Sequence, residues 1–301
     1  MKYFIIIGIL FLTGCSPKMD FLKFSAIYQK PTERKVKVAV VLGGGGARAI
    51  AHLGVLEVFE EHGIPVDLVV GVSGGSIVGA LYADNPSAKA IKQTALNFKT
   101  KNLVDISLLN AFNAANSLKG SFDGSIGARF LERNMRAKHF HELKVPFVAV
   151  VTDIVTCKTI GLNSGNVAQA VRASYAIPGL FAPIKNGQMT LVDGGVSAPL
   201  PVDIAKQYAP DVIIAIDVSI PLPEADVNNM LALIRRSAAI TYQTLNHEAA
   251  KEADVLIKPN VGTVGMFDDD KNEELYLAGK RAAMEKIDEI KEKLRKHNYK
   301  I

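Results

Sequence analysis

The chain has 301 residues, 49% of them hydrophobic, which is enough apolar material for one large core and favours a single catalytic domain over two. Its formal net charge of +5 comes from 35 basic and 30 acidic residues scattered along the chain, apart from a solvated run near the C-terminus (Lys291, Lys293, Arg295, Lys296, Lys300). A balance this mild and dispersed excludes a dedicated nucleic-acid surface and suits an anionic partner such as phospholipid headgroups.

The first fourteen residues read as a processing segment. Lys2 supplies a short positive region and Phe4 to Leu12 (FIIIGILFL) an apolar one, too short to span a bilayer, which takes about 20 apolar residues. Leu12-Thr13-Gly14-Cys15 resembles a bacterial lipobox, and the resemblance implies cleavage before Cys15 and a diacylglyceryl group on its sulfur. The expected organisation is therefore a signal peptide at 1–14, a lipidated Cys15 and tether at 15–34, and one domain at 35–301. The expected location is the cell envelope, as a membrane-anchored lipoprotein, in the outer membrane or facing the periplasm if the cell is Gram-negative. Ser16, not Asp, follows the Cys, so the retention signal for the inner membrane is missing. With Cys15 used, Cys157 is a lone thiol and no intramolecular disulfide can form in the mature domain.

Past the tether, elements alternate. Val36 to Leu42 (VKVAVVL) predicts a buried strand, Arg48 to His62 an amphipathic helix ended by Gly63 and Pro65, Leu68 to Val72 a strand, and Ser76 to Ala83 a helix. Lys89 to Lys99 reads as helical. Asn102 to Ser121 is irregular, either a surface loop or a cover over a site. Ser125 to Met135 is the next helix, followed by paired strands at Val145–Ile154 and Lys158–Leu162 with Cys157 at the turn. Then come a helix at Val167–Tyr175, short strands at Met189–Val192 and Leu256–Lys258, a strand at Val212–Val218, and long helices at Met230–Ala250 and Asn272–Lys296. Continuous apolar strands alternating with helices imply an α/β fold with a mostly parallel central sheet covered on both faces.

The chemistry is concentrated in two glycine-rich turns. Gly43 to Gly46 follow the first strand. A phosphate loop would need Lys-Ser or Lys-Thr after its last glycine, and this chain has Ala47-Arg48-Ala49-Ile50. A dinucleotide fingerprint would need a third glycine where Arg48 or Ala49 stands and an acidic residue after the second strand, which ends instead in Gly71-Val72-Ser73-Gly74-Gly75. That second turn is G-x-S-x-G between a strand and a helix, the context of a nucleophile elbow. Gly71 and Gly75 leave room for Ser73 in a strained turn, and its hydroxyl faces the positive end of a helix. Adjacent parallel strands lie about 4.8 Å apart, so the amides of Gly44, Gly45 and Gly46 can share one crevice with Ser73 as an oxyanion hole. For a base, none of the later histidines (His139, His141, His247, His297) follows a strand in a glycine-rich loop, whereas Asp193 in "MTLVDGGV" does, ahead of Gly194 and Gly195. His52 reads as a packing or hydrogen-bonding residue. The residues thus suggest a Ser–Asp dyad.

In four ordered blocks the chain resembles the bacterial patatin-like phospholipases: "GGGARAIAHLGVL", "GVSGGSIVGALYA", "ASYAIPGLFAPI" (Ala173 to Ile184) and "VDGGV". The match is strongest over 36–217 and looser over the C-terminal helices at 226–298. It implies a three-layer α/β/α fold, an oxyanion loop at Gly44, Gly45 and Gly46 with its arginine at Arg48, a nucleophile at Ser73 and a dyad aspartate at Asp193. Ala49 stands where the family usually has Gly. The implied activity is hydrolysis of acyl esters of phospholipids or other lipids, with no cofactor and no metal; neither HExxH nor a calcium loop is present. Alternatives are a lysophospholipase, thioesterase or carboxylesterase on the same dyad, and, from another class, an inert membrane-anchored scaffold.

Overall fold

The computed structural model describes residues 24–29, 36–103 and 122–299. Eight strands form one sheet: β1 (Val38–Leu42), β2 (Leu68–Val72), β3 (Phe147–Asp153), β4 (Lys158–Leu162), β5 (Ile184–Asn186), β6 (Met189–Asp193), β7 (Val212–Ile216) and β8 (Val255–Ile257). Their order is β5-β6-β3-β2-β1-β7-β8, with β4 also on β3. The β1–β2, β1–β7, β2–β3 and β7–β8 pairs are parallel; β3–β4, β3–β6 and β5–β6 are antiparallel.

Residues of β1 alternate between two cores because successive side chains point to opposite faces. Val38, Val40 and Leu42 pack with α1 (Ile50–Glu61), α2 (Gly74–Asp84), α3 (Ala88–Asn97), α4 (Ser125–Asn134) and α5 (Val167–Ser174). Ala39 and Val41 pack on the other side with α6 (Val202–Lys206) and the end of α7 (Met230–Lys251). The first core also takes in α8 (Asn272–Met284) and α9 (Ile287–Lys296). This is the three-layer arrangement expected, on a mixed, mostly parallel sheet.

One register decides where the site lies. β2 pairs with β3 as far as Val72 opposite Val150, and β6 begins at the next rung, Asp193 opposite Val151. β4 covers Ala149 to Asp153 from the other side, so β2 and β6 must share one edge of β3, end to end. The last residue of β6 therefore meets the turn after β2.

Three expectations need adjusting. Asn272–Lys296 is two helices, not one, with a turn at Glu285–Lys286 where the Lys286 amide bonds the Ala283 carbonyl at 2.9 Å; bending there lets Ile287, Ile290 and Leu294 reach the core. The helix expected from Arg48 starts as a 3₁₀ turn at Gly46–Ala49. β5 and α6, three and five residues long, were not anticipated, since elements so short leave no usable periodicity. Of the segment 102–121, all beyond residue 103 lies outside the described residues, as do Cys15 and the 1–14 segment.

Candidate active site

Ser73 occupies the turn between β2 and α2 with φ 53° and ψ −125°. A non-glycine residue there carries about 1–3 kcal/mol of backbone strain, so surrounding contacts must impose it. Two of them are steric. A Cβ on Gly71 would lie 2.7 Å from the Gly75 carbonyl oxygen, and one on Gly75 would lie 2.4 Å from that of Leu42. Only bare glycines let α2 begin this close to the ends of β1 and β2. The others are hydrogen bonds: the Ser73 amide donates to Ser174 Oγ (3.1 Å), which itself donates to the Val150 carbonyl (2.7 Å), and the Ser76 hydroxyl donates to the Ser73 carbonyl (2.6 Å).

The shared edge of β3 carries Asp193 to this turn, where the Ser73 side chain lies close enough to the carboxylate to favour its ionised form. The Gly195 amide donates to the same carboxylate at 2.7 Å. Burial lifts the Asp193 carboxyl to about 6 from an ordinary 3.8, while the Ser73 side chain and the Gly195 amide pull the other way. Desolvation wins because the side chain is only 5% exposed. The result is a carboxylate that is ionised at pH 7 yet far more basic than a surface Asp.

The glycine loop is held from several sides. Gly43 donates to the Ile216 carbonyl (3.1 Å), Gly44 to that of Pro199 (3.0 Å), and Ala47 to that of Met266 (2.8 Å). The Gly44 amide is thus spent on the scaffold. Among the described residues nothing accepts from the amides of Gly45 and Gly46, so these are the two left for an incoming oxygen. Gly46 needs its φ of +59°, and a Cβ there would sit 2.3 Å from Met266. Arg48 does not face the crevice: its guanidinium reaches the carbonyls of Val218 and Val264, both at 2.9 Å, and ties the loop to the segments after β7 and β8. His52 is wholly buried with Nε2 2.8 Å from the Gly43 carbonyl. Burial drops it to about 4, so the ring is neutral, donates through Nε2–H and braces the loop.

Two residues at the site had no sequence argument behind them. Ser174 lay inside the block "ASYAIPGLFAPI" without a reason of its own. Tyr242, on α7, donates to the Gly44 carbonyl at 2.9 Å and lies against Gly195; one aromatic on a 22-residue helix gives no signal in the sequence. Beyond Gly46 and Gly74 an apolar crevice runs between α1, α2 and α3, lined by Ile50, Ile77, Val78, Leu81 and Phe98. Cys157 sits exposed at the β3–β4 turn.

A family model described as patatin-like phospholipase matches residues 40–206. Over 184 residues the chain is 39% identical to patatin-like phospholipase domain-containing protein 6 of Mus musculus, covering 60% of this chain and 13% of that protein. Over 283 residues it is 30% identical to lysophospholipase NTE1 of Coccidioides immitis, covering 84% of this chain and 18% of that one. The chain thus spans less than a fifth of the length of these curated relatives. VipD from Legionella pneumophila superposes with a TM-score of 0.55 at 16% identity, over 89% of this chain and 70% of that one. Human GIVD cytosolic phospholipase A2 gives 0.53 at 12% identity, over 86% and 60%. These two likenesses bear on the fold alone. The matched segment runs from within β1 to the end of α6 and holds the glycine loop, the serine turn and Asp193 together, and on that ground the chain belongs to the patatin-like phospholipase family, a family of serine lipid hydrolases.

Proposed function

We propose that this protein hydrolyses fatty-acyl esters of membrane lipids with Ser73 as nucleophile and Asp193 as its proton acceptor. The observation that carries this reading is the strained serine set beside a buried, basic carboxylate and two glycine amides that have no acceptor among the described residues. Asp193 takes the hydroxyl proton as Ser73 Oγ attacks the ester carbonyl carbon. The carbonyl oxygen becomes an oxyanion that accepts from Gly45 and Gly46 at the positive end of α2. Collapse breaks the bond to the alcohol oxygen, which leaves with the proton held by Asp193. A water then gives its proton to Asp193 and attacks the acyl-serine, and collapse releases the fatty acid and restores Ser73. Lysophospholipase activity is the second reading, favoured by the likeness to lysophospholipase NTE1 of Coccidioides immitis.

Attachment through a lipidated Cys15 belongs to the same proposal. Two or more acyl chains hold a protein stably on a membrane, and a tether of 19 residues (Ser16 to Arg34), at most about 65 Å when extended, keeps the domain within reach of lipid. Mass spectrometry of the N-terminal peptide checks this part: an unmodified N-terminus other than Cys15 refutes the anchor and leaves the chemistry untouched. For the chemistry, a fluorophosphonate should add one label to the wild-type chain and none to Ser73→Ala. Fatty acid release from defined diacyl and lysophospholipids should vanish in the same variant. Full release by Ser73→Ala refutes the reading, and an unlabelled, inactive wild type would leave the inert scaffold.

A further inference from the structure

The long helix α7 has apolar side chains on two faces. One face packs on the body through Tyr242, Asn246, Ala249 and Ala250. The other points outward over the first three turns, where Met230, Leu233, Ile234 and Ile240 are 68%, 47%, 58% and 51% exposed. Their spacing (i, i+3, i+4, i+10) puts them on one stripe of the helix. From Val227 to His247 the sequence contains no Asp or Glu, and Arg235 and Arg236 flank the stripe.

The position of this stripe matters as much as its composition. α7 connects the parallel strands β7 and β8, so it runs antiparallel to them and starts at the end of the sheet where Ser73 lies. Tyr242, the first side chain to reach the glycine loop, comes twelve residues into the helix, and the part before it, 230–241, is about 18 Å long. Other elements at that same end also expose apolar side chains: Val155 in the β3–β4 turn (60%), Val196 just after Gly195 (39%) and Met266 against Gly46 (40%). A surface helix ordinarily turns a charged face to water.

We propose that residues 230–241 form an interfacial helix that lies on an anionic phospholipid bilayer, with the apolar stripe among the acyl chains, Arg235 and Arg236 at the phosphates, and the mouth of the site held against the lipid. A second copy of the chain is a poorer occupant. The positions one and two heptads after Met230 are Ser237 and Thr244, and paired arginines would face each other across the contact. That docking serves catalysis rests on the hydrolase reading above; the docking itself does not.

The chain contains no tryptophan, so Ile234→Trp creates a single reporter in the full-length protein whatever its N-terminus does. It is measured in a Ser73→Ala background, which leaves the lipid intact. With vesicles of phosphatidylcholine and phosphatidylglycerol, the indole emission should shift to shorter wavelength and be quenched when the acyl chains are brominated. Met284→Trp, exposed at the far end of α8, should do neither. Leu233→Glu with Ile234→Glu should raise the vesicle concentration needed for hydrolysis on the order of tenfold and spare hydrolysis of soluble p-nitrophenyl butyrate. An Ile234→Trp emission that is unshifted and unquenched while the protein sediments with vesicles overturns the proposal. So does one already blue-shifted in buffer that reverts on dilution, because a second copy then covers the stripe. Insertion without lipid hydrolysis by the Ser73-intact chain would keep the docking and sink the hydrolase reading; hydrolysis without insertion would do the reverse.

Discussion

Asp193→Asn should make the protein more stable and nearly inactive, and the two effects share one cause. Burial raises the Asp193 carboxyl from 3.8 to about 6, so the folded state disfavours the ionised form. Below pH 3.8 the group is protonated in both folded and unfolded chains and costs nothing. Between about 4 and 6 the unfolded chain ionises first and folding loses stability. Above 6 the penalty is constant, about two pH units at 1.36 kcal/mol each, or about 3 kcal/mol. Asn keeps an oxygen for the Gly195 amide, which donates at 2.7 Å in the native site, and carries no charge to desolvate. Urea unfolding at pH 8 should therefore show Asp193→Asn more stable than wild type by up to about 3 kcal/mol, with the gain fading as the pH falls towards 4. The same variant should lose about 10²–10⁴-fold in kcat, the usual contribution of a positioned base. A gain that is the same at pH 4 and pH 8, or a loss of stability at pH 8, refutes the argument that desolvation sets the basicity of this carboxylate.

The pH–rate profile of the wild type should follow from the same group: kcat/KM should rise with pH through about 6 and fall to the acid side as Asp193 takes a proton, which initial rates on a soluble ester can test. Ser174→Ala leaves the Ser73 amide, now bonded at 3.1 Å, without its acceptor, and should cost about 1–3 kcal/mol in thermal unfolding and lower kcat with it. Tyr242→Phe removes the 2.9 Å bond to the Gly44 carbonyl; a loss of about 0.5–1.5 kcal/mol is expected, read as a drop in acylation rate measured by burst kinetics. Gly75→Ala puts a Cβ 2.4 Å from the Leu42 carbonyl oxygen and should destabilise by about 1–3 kcal/mol or more, whereas Gly265→Ala, with its nearest neighbour at 3.8 Å, should melt like wild type.

Much of this was legible in the residues because the two glycine turns obey local rules. The strand-to-helix context, the steric need for Gly71 and Gly75, and the placement of Ser73 and Gly44 to Gly46 at one end of adjacent strands all follow from sequence and strand geometry. The pairing of Ser73 with Asp193 had a weaker local basis: a strand ending in Asp-Gly-Gly marks a candidate, but only the register on β3 brings it to the serine. What stayed hidden is long-range. The Gly44 amide is taken by Pro199, 155 residues away in the chain, and no local pattern announces that. Tyr242 acts through its position on a crossover helix, and Ser174 through one turn of α5 passing under Ser73. The break at Glu285–Lys286 has neither Gly nor Pro to mark it; it exists because a straight helix would have carried Ile287 and Ile290 away from the core.

The end-to-end placement of β2 and β6 along one edge of β3 has a consequence for how the protein is made. The gap between Ser73 and Asp193 is measured off by consecutive backbone rungs, Val150 and Val151, so no fragment that lacks β3 or stops before β6 can assemble the pair. A growing chain has its serine 120 residues before its carboxylate. On the reading proposed here, a hydrolase of membrane lipids stays chemically blank through most of synthesis, and becomes competent only when a late strand docks in correct alignment. A slip of one rung would turn Asp193 to the opposite side of the sheet. Misfolded copies are therefore silent, not indiscriminate.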